Sequence, residues 1–291
     1  MKTKSLIILI SLFSFILLSF KNDKPAYQLF DKQGNQIVYS EMLNKVKDAD
    51  IVFFGELHDN PISHWMEKQV SKDLYQQRKD DLLLGAEMFE SDNQLILDEY
   101  LSGYSNTKTF EAEARLWPNY QTDYKPLIEF AKNNKLKFIA TNIPRRYASL
   151  VHKKGFEGIN NLSAEAKKYI APMPINYDEN LNCYKQMMNM GGAMKSHVNK
   201  NFPMAQAAKD ATMAHFILKN WQQGKLFIHY NGSYHSDNYE GIVWHLKQQN
   251  KNLNIVTITT VLQKNIDKLK DENKNTADFI FCVPEDMTRT Y

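Results

Sequence analysis

Short hydrophobic runs alternate with longer segments of helical periodicity along most of the chain. The runs are rich in β-branched and aromatic residues, and each ends in polar residues or glycine. They predict strands at Ile51–Glu56, Leu82–Met88, Lys137–Asn142, Lys225–Gly232, Asn254–Val261 and Asp278–Pro284. Strands that alternate with helices are typical of an α/β fold with a mostly parallel sheet and helices on both faces.

Helix-start signals follow directly after three of these strands. Each consists of a capping residue or a proline, which favours the first turn of a helix. The predicted helices are Ile62–Gln77 after Asn60 and Pro61, Asp92–Leu101 after Ser91, and Arg145–Val151 after Pro144.

A segment of about residues 155–203 has no strand pattern and predicts a helical insertion in the α/β fold. It is rich in large or soft side chains, which either form an apolar platform for a ligand or pack the insertion itself. They are Tyr177, Tyr184, Met187, Met188, Met190, Met194 and His197.

The first residues have the profile of a signal peptide. Lys2 and Lys4 precede an apolar run over Ser5–Phe20, and a polar stretch follows. We therefore expect residues 1–23 to be a signal peptide or N-terminal anchor, and residues 24–291 to form one α/β domain. The expected location is outside the cytoplasm, in the periplasm or associated with a membrane.

The two cysteines, Cys183 and Cys282, both lie far from the apolar run, so we expect no lipid attached to an N-terminal cysteine. In an oxidising compartment they either pair or remain free thiols.

Composition narrows the range of partners. The 291 residues, 43% of them hydrophobic, suffice for one large α/β domain. With 36 basic and 33 acidic residues, and no basic block interleaved with aromatic residues, a nucleic-acid partner is not expected.

Charged and polar side chains close several of the predicted strands. Glu56 and His58 follow the first strand, Glu87 ends the second, Arg145 follows the third and His235 follows the fourth. Because ligands of open α/β sheets bind outside the carboxyl ends of the strands, we expect these five side chains to line one cleft. If the protein is a hydrolase, these five are the expected catalytic residues.

Several of these residues also have structural explanations. Glu87 could pair with Arg145, and His64 and Glu67 follow on a helix whose solvated face is their expected place, although His64 could turn toward the cleft. The repeated Gly-x-x-His pattern, at Gly55–His58 and Gly232–His235, favours a functional cleft because each copy closes an apolar run.

The chemistry of the set leaves two interpretations open. Glu56, His58, Glu87 and His235 offer donors that suit Zn, Mn or Fe, and a divalent ion with an open position could activate water. Without a metal, a histidine beside a glutamate can act as a general base. The sequence has no serine elbow, phosphate-binding glycine loop or helical His-Glu-x-x-His, so it does not indicate a common serine hydrolase, an NTPase or a zincin.

Five segments together resemble the ChaN-like haem-binding uptake family of the Tiki superfamily, which is also similar to erythromycin-esterase-like enzymes. The resemblance extends from about Phe30 to Val261. The segments that carry it are Gly55–Asn60, Gly85–Met88, Asn142–Arg145, Ala205–Ala214 and Gly232–His235.

This resemblance implies haem binding and iron uptake at the cell envelope, with haem as the cofactor and a haem receptor or transporter as partner. A homodimer would enclose a flat ligand well. The side chains considered as iron ligands are His64, Tyr177, Tyr184 and Tyr234, and those considered for the propionates are Arg145, Arg146 and Lys195. A metal-dependent hydrolase and a non-catalytic interaction module are the alternatives.

Overall fold

A seven-stranded sheet forms the centre of the protein in the computed structural model, which describes residues 24–189 and 199–291. The strands are β1 (Gln28–Asp31), β2 (Ile51–Glu56), β3 (Leu82–Glu90), β4 (Phe138–Asn142), β5 (Leu226–Gly232), β6 (Ile255–Gln263) and β7 (Phe279–Pro284). Their order across the sheet is β1-β7-β6-β2-β5-β3-β4. All neighbours are parallel except the antiparallel pair β1 and β7, which confirms the predicted α/β class.

Helices connect the parallel strands. Those described are α1 (Tyr39–Val46), α2 (Pro61–Arg78), α3 (Gln94–Leu101), α4 (Thr107–Glu113), α5 (Lys125–Asn133), α6 (Arg145–Lys154), α7 (Glu157–Asn160), α8 (Ala164–Lys167), α9 (Asn182–Asn189), α10 (Phe202–Asn220) and α11 (Ile242–Gln249). Among the described residues, no helix combines the length and hydrophobicity needed to cross a membrane.

Strand β2 shows why the helices cover both faces of the sheet. Successive side chains of a strand point to opposite faces, and all six residues of β2 are buried. Val52 and Phe54 pack in a cluster with α2 and α5, whereas Ile51 and Phe53 pack with α10 and α11. A strand that is hydrophobic on both faces is stable only between two layers of helices.

The first turn of α2 follows β2 almost directly. The Asn60 side chain accepts hydrogen bonds from the backbone N–H groups of Ile62 and Ser63, each at 3.0 Å, and Pro61 occupies the first helical position. These contacts satisfy donors that the helix leaves unpaired. The short connection keeps the end of β2 and the start of α2 in one site.

Several element bounds differ from the prediction, most of them by one or two residues. Helix α3 begins at Gln94 because Ser91–Asn93 forms a 3-10 turn first, and α6 continues to Lys154. Strand β1 was not predicted, since only two of its four residues are buried and its hydrophobic run is too short to stand out.

The described part of the region between Gly155 and Pro203 contains three short helices and the start of α10, and it contains no strand. Tyr184 and Met187 of α9 are buried in a cluster with Ala207 of α10, and Tyr177 packs against it, so these side chains pack the insertion. Met190, Met194, Lys195 and His197 lie outside the described residues, as does the predicted leader of residues 1–23.

The two cysteines are buried free thiols. Cys183 belongs to α9 and Cys282 to β7, and they pack in different hydrophobic clusters.

Candidate functional site

A cleft of about 1200 Å³ opens at the carboxyl ends of β2, β5 and β3, which are neighbours in the sheet. The chain leaves β2 toward β3 on one side of the sheet and leaves β5 toward β6 on the other side. Such a switch in direction is where open α/β sheets bind ligands. The cleft is lined by all five side chains of the predicted set: Glu56, His58, Glu87, Arg145 and His235.

Glu56 and His58 form a pair at the end of β2. His58 Nδ1 lies 2.6 Å from Glu56 Oε1, and that oxygen also accepts a hydrogen bond from the Tyr124 hydroxyl at 2.7 Å. The Glu56 side chain is fully buried, whereas 36% of the His58 side chain is exposed at the cleft. Because Glu56 engages Nδ1, Nε2 is the ring nitrogen left for a ligand.

Burial disfavours charge on His58, but the hydrogen bond to Glu56 and the charges of Glu87 and Glu56 outweigh it and raise the pKa of His58. The indole of Trp117 packs edge-on against the ring, with the centroids 4.9 Å apart. The position of the ring also depends on Gly232, where a Cβ would lie 2.7 Å from His58 Nε2.

His235 is held between two carboxylates. Its Nε2 lies 3.1 Å from Glu87 Oε1, and its Nδ1 makes a short contact with Asp210 Oδ1 on α10. Burial lowers the pKa of His235, but the charges of Glu87 and Asp210 overcome this and raise the pKa to about 10. The two flanking carboxylates therefore favour the imidazolium form of His235 at neutral pH.

Glu87 is one of the two carboxylates that flank His235. Burial raises the pKa of Glu87, but the nearby His235 charge and hydrogen bond bring it well below its usual range. Glu87 Oε2 also accepts a hydrogen bond from the Gly232 backbone N–H at 2.9 Å. The suggested pairing of Glu87 with Arg145 is thus replaced by pairing with His235, which is buried beside it.

A second group of ionisable side chains lies in the interior behind Glu56. His64 is 6% exposed and Glu67 is fully buried, so the expectation of a solvated face for them is wrong. Their side of α2 turns inward, against the end of β2. His64 Nδ1 lies 3.2 Å from Glu67 Oε2 and 3.5 Å from Glu56 Oε2.

This interior group, rather than the predicted four-residue set, brings donor atoms closest together. In the described part of the chain, one set of three residues has potential ligand atoms that all lie within 4.8 Å of one another. These residues are Glu56, His64 and Glu67. Burial and the neighbouring Glu56 and Asp123 raise the pKa of Glu67 well above its usual value.

A single turn of π-helix, Tyr120–Tyr124, supplies Asp123 and Tyr124 to the site. Such turns often occur at functional sites, but neither residue carried a recognisable motif. Asp210 was also not singled out, although it lies in the Ala205–Ala214 segment that resembles the family.

The four side chains considered as iron ligands lie in different environments. His64 lies in the interior group, Tyr177 packs against Phe156, and the Tyr184 hydroxyl donates to Asp210 Oδ2 at 2.9 Å. Tyr234 lines the cleft, and its hydroxyl donates to the Cys183 carbonyl oxygen. Tyr234 is therefore the member of this set that the structure places at the cleft.

The residues present fit a haem. The cleft exceeds the roughly 300–1,000 Å³ of common small-molecule sites. Trp117 and Ile143 give it apolar surface, and Arg145 and Lys209 give it positive charge. Arg146 also lines it but pairs with Asp92, whereas Arg145 forms no ion pair with another described residue.

Comparison with known proteins points the same way. Residues 42–246 match the family model described as haem-binding uptake, Tiki superfamily, ChaN. A ChaN of Campylobacter jejuni that binds haem cofacially has a similar structure, with a TM-score of 0.66 and 17% identity over 88% of this chain and 96% of that one.

Two other known proteins are also similar to parts or all of this chain. A mutant of the erythromycin esterase EreC in its open conformation has a TM-score of 0.51 and 10% identity, over 89% of this chain and 98% of that chain. Protein RETICULATA-RELATED 5, chloroplastic, of Arabidopsis thaliana is 25% identical over 134 residues. The match covers 44% of this chain and only 18% of the plant protein.

Proposed function

The chain belongs to the ChaN haem-binding uptake family of the Tiki superfamily, and on this basis we propose that it binds haem in the cleft at the ends of β2, β3 and β5. The observation that carries the proposal is His58. Its Nδ1 is held by a buried carboxylate at 2.6 Å and its side chain is partly exposed at the cleft. A carboxylate that fixes the second nitrogen is the usual support of a metal-binding histidine.

In this proposal His58 Nε2 would bind the iron, and Trp117 and Ile143 would provide apolar surface for the macrocycle. Arg145 and Lys209 would neutralise the propionates. Bound haem would supply an iron centre that absorbs visible light strongly, which makes binding directly measurable.

The wider role that we propose is haem and iron uptake at the cell envelope. The apolar run over Ser5–Phe20, preceded by two lysines, supports export to the periplasm or a membrane-associated location. Haem exchange with an envelope receptor or transporter follows from this role. A homodimer would shield the ligand further from water.

A second candidate function, hydrolysis, is favoured by the same Glu56–His58 pair. A histidine held by a carboxylate, with its pKa raised and one nitrogen left open, can also take a proton from water as a general base. Arg145 could then stabilise negative charge that develops on a substrate.

A haem titration followed in the Soret region tests the first proposal. Protein lacking residues 1–23 should give a saturable, stoichiometric change in the band, and His58→Ala should shift the band and weaken binding. His215→Ala on α10 is the matched control, because His215 does not line the cleft. A linear, unsaturable response of the wild-type protein would reject haem binding.

The hydrolase candidate has a separate test. Ester and peptide substrates should then be turned over without haem, and His58→Ala should abolish turnover. Saturable haem binding without any turnover would leave only the first function.

A further inference from the structure

The interior group behind Glu56 concentrates negative charge away from water. It contains the carboxylates of Glu56, Glu67 and Asp123 and the imidazole of His64, with side-chain exposures between 0% and 5%. Buried carboxylates are stable only when they are paired, protonated or bound to a metal ion. Glu56 pairs with His58, and Asp123 accepts hydrogen bonds from Asn119 and Thr290, whereas Glu67 has the imidazole of His64 beside it.

The hydrogen bonds of His64 determine which ring nitrogen has a lone pair. Its Nε2 lies 3.1 Å from the His58 carbonyl oxygen, which can only accept a hydrogen bond, and 3.5 Å from Asp123 Oδ2. Nε2 therefore carries the proton. In the neutral tautomer, Nδ1 then directs its lone pair toward the oxygens of Glu56 and Glu67.

Two buried oxygens of this group have no hydrogen-bond partner among the described residues, Glu56 Oε2 and Glu67 Oε1. The hydrogen bonds from His58 and Tyr124 both go to the other Glu56 oxygen, Oε1. Oε2 instead faces His64 Nδ1 at 3.5 Å. Among the described residues, one oxygen of each of these two carboxylates is therefore available to a ligand ion.

We propose that Glu56, His64 and Glu67 form a binding site for a divalent transition-metal ion. Metal bonds of about 2.0–2.1 Å at a tetrahedral angle place two donor atoms about 3.4 Å apart. The observed separations from His64 Nδ1 to the two carboxylates, 3.2 Å and 3.5 Å, lie on either side of that value. One imidazole and two carboxylates suit Zn²⁺ or Mn²⁺ and leave a fourth coordination position open.

Neighbouring side chains support the proposed ligands. Asp123 beside His64 Nε2 completes a carboxylate–histidine–metal arrangement, which fixes the tautomer of the ligand. Tyr124 and His58 orient Glu56 through Oε1, so Oε2 is left for the ion. Glu56 also lines the cleft, which offers a route for the ion into the site.

Zn²⁺ binding to haem-free protein tests the proposal. After dialysis against a chelator, calorimetry at neutral pH should show one Zn²⁺ bound per chain, and Zn²⁺ should raise the melting temperature. Absorption spectroscopy at the zinc edge should show only nitrogen and oxygen ligands. Failure of the wild-type protein to bind Zn²⁺ would overturn the proposal and leave a proton shared between Glu56 and Glu67 as the explanation of the close carboxylates.

Substitutions in and around the proposed ligand set test where Zn²⁺ binds. Glu67→Gln, which preserves shape, should abolish Zn²⁺ binding, and Asp123→Asn should weaken it by about 10- to 100-fold. The matched control Glu41→Gln changes an exposed helical glutamate and should bind as the wild type does.

Arg145→Ala separates this site from the cleft, because Arg145 lines the cleft but does not belong to the proposed ligand set. This variant should retain Zn²⁺. Retention of Zn²⁺ in Glu67→Gln, or its loss in Arg145→Ala, would contradict the proposal. Because no haem is present, these results do not depend on the outcome of the haem titration.

Discussion

The pairing of His235 with Asp210 makes a sharp prediction about stability. Asp210→Asn replaces one of two carboxylates that hold the buried imidazolium, and it places an amide where a charged oxygen accepts from Nδ1. Removing one partner of a buried ion pair costs about 3–5 kcal/mol when it leaves the other charge unpaired. Glu87 still pairs with His235 in this variant, so we expect the free energy of unfolding to fall by less than this amount at neutral pH.

The raised pKa of His235 determines how its contribution to stability changes with pH. The pKa of His235 is about 10 in the folded protein, against an ordinary value of 6.5. Each tenfold change in proton affinity is worth about 1.4 kcal/mol, so this difference corresponds to at most about 5 kcal/mol. Since the folded-state pKa is the higher one, the stabilisation is complete below pH 6.5 and is lost as the pH rises through about 10.

Urea unfolding followed by tryptophan fluorescence at pH 6, 8 and 10 measures the free energy of unfolding of the wild type and of Asp210→Asn. The difference in stability between the wild type and Asp210→Asn should be largest at pH 6 and should shrink toward pH 10. Asp271→Asn, which changes an exposed partner of Lys274, is the matched control and should follow the wild type. A difference that stays constant over this range would refute the assignment of a charged His235 held by Asp210.

Three further predictions concern other parts of the molecule. Gly232→Ala should weaken haem binding more than it lowers stability, measured by Soret titration and thermal melting, because the new Cβ would lie 2.7 Å from His58 Nε2. Cys183 and Cys282 should react with a thiol reagent at pH 8 only after denaturation, because burial raises both pKa values, that of Cys282 to about 11; rapid labelling of the native protein would contradict this. Gly241→Ala should lower the melting temperature, since φ is +55° there and a Cβ would overlap a backbone carbonyl oxygen, and an unchanged melting temperature would show that the loop relaxes freely.

The central strands could be predicted from the sequence because they are buried on both faces. Strand β2 carries four consecutive large hydrophobic residues before Gly55, and its predicted and observed bounds agree. The ends of such strands lie at one edge of a parallel sheet, so the cleft and its polar lining followed from the same pattern. Edge strand β1 lacks that signal, since it is short and half-buried.

The partners of the cleft residues could not be predicted in the same way. The spacing of Glu56 and His58 suggested that they face one cleft, and their side chains lie 2.6 Å apart. Asp210, however, is separated from His235 by 25 positions and reaches it from α10. Such contacts depend on how helices pack on the sheet, which hydrophobic periodicity does not specify.

The burial of the interior group could not be predicted from the sequence either. His64 and Glu67 are polar residues on a helix that has enough hydrophobic positions to cover the sheet without them, so their sequence pattern indicates a solvated face. The π-helical turn that brings Asp123 and Tyr124 against them has no sequence signature of its own. Their burial together is a property of the tertiary structure alone.

The most direct test of the central claim is to locate the iron. Diffraction data collected at the iron absorption edge, from crystals of the protein grown with haem, should show one anomalous peak in the cleft beside His58 Nε2. A peak elsewhere on the protein, or none at full haem occupancy in solution, would contradict haem binding in this cleft.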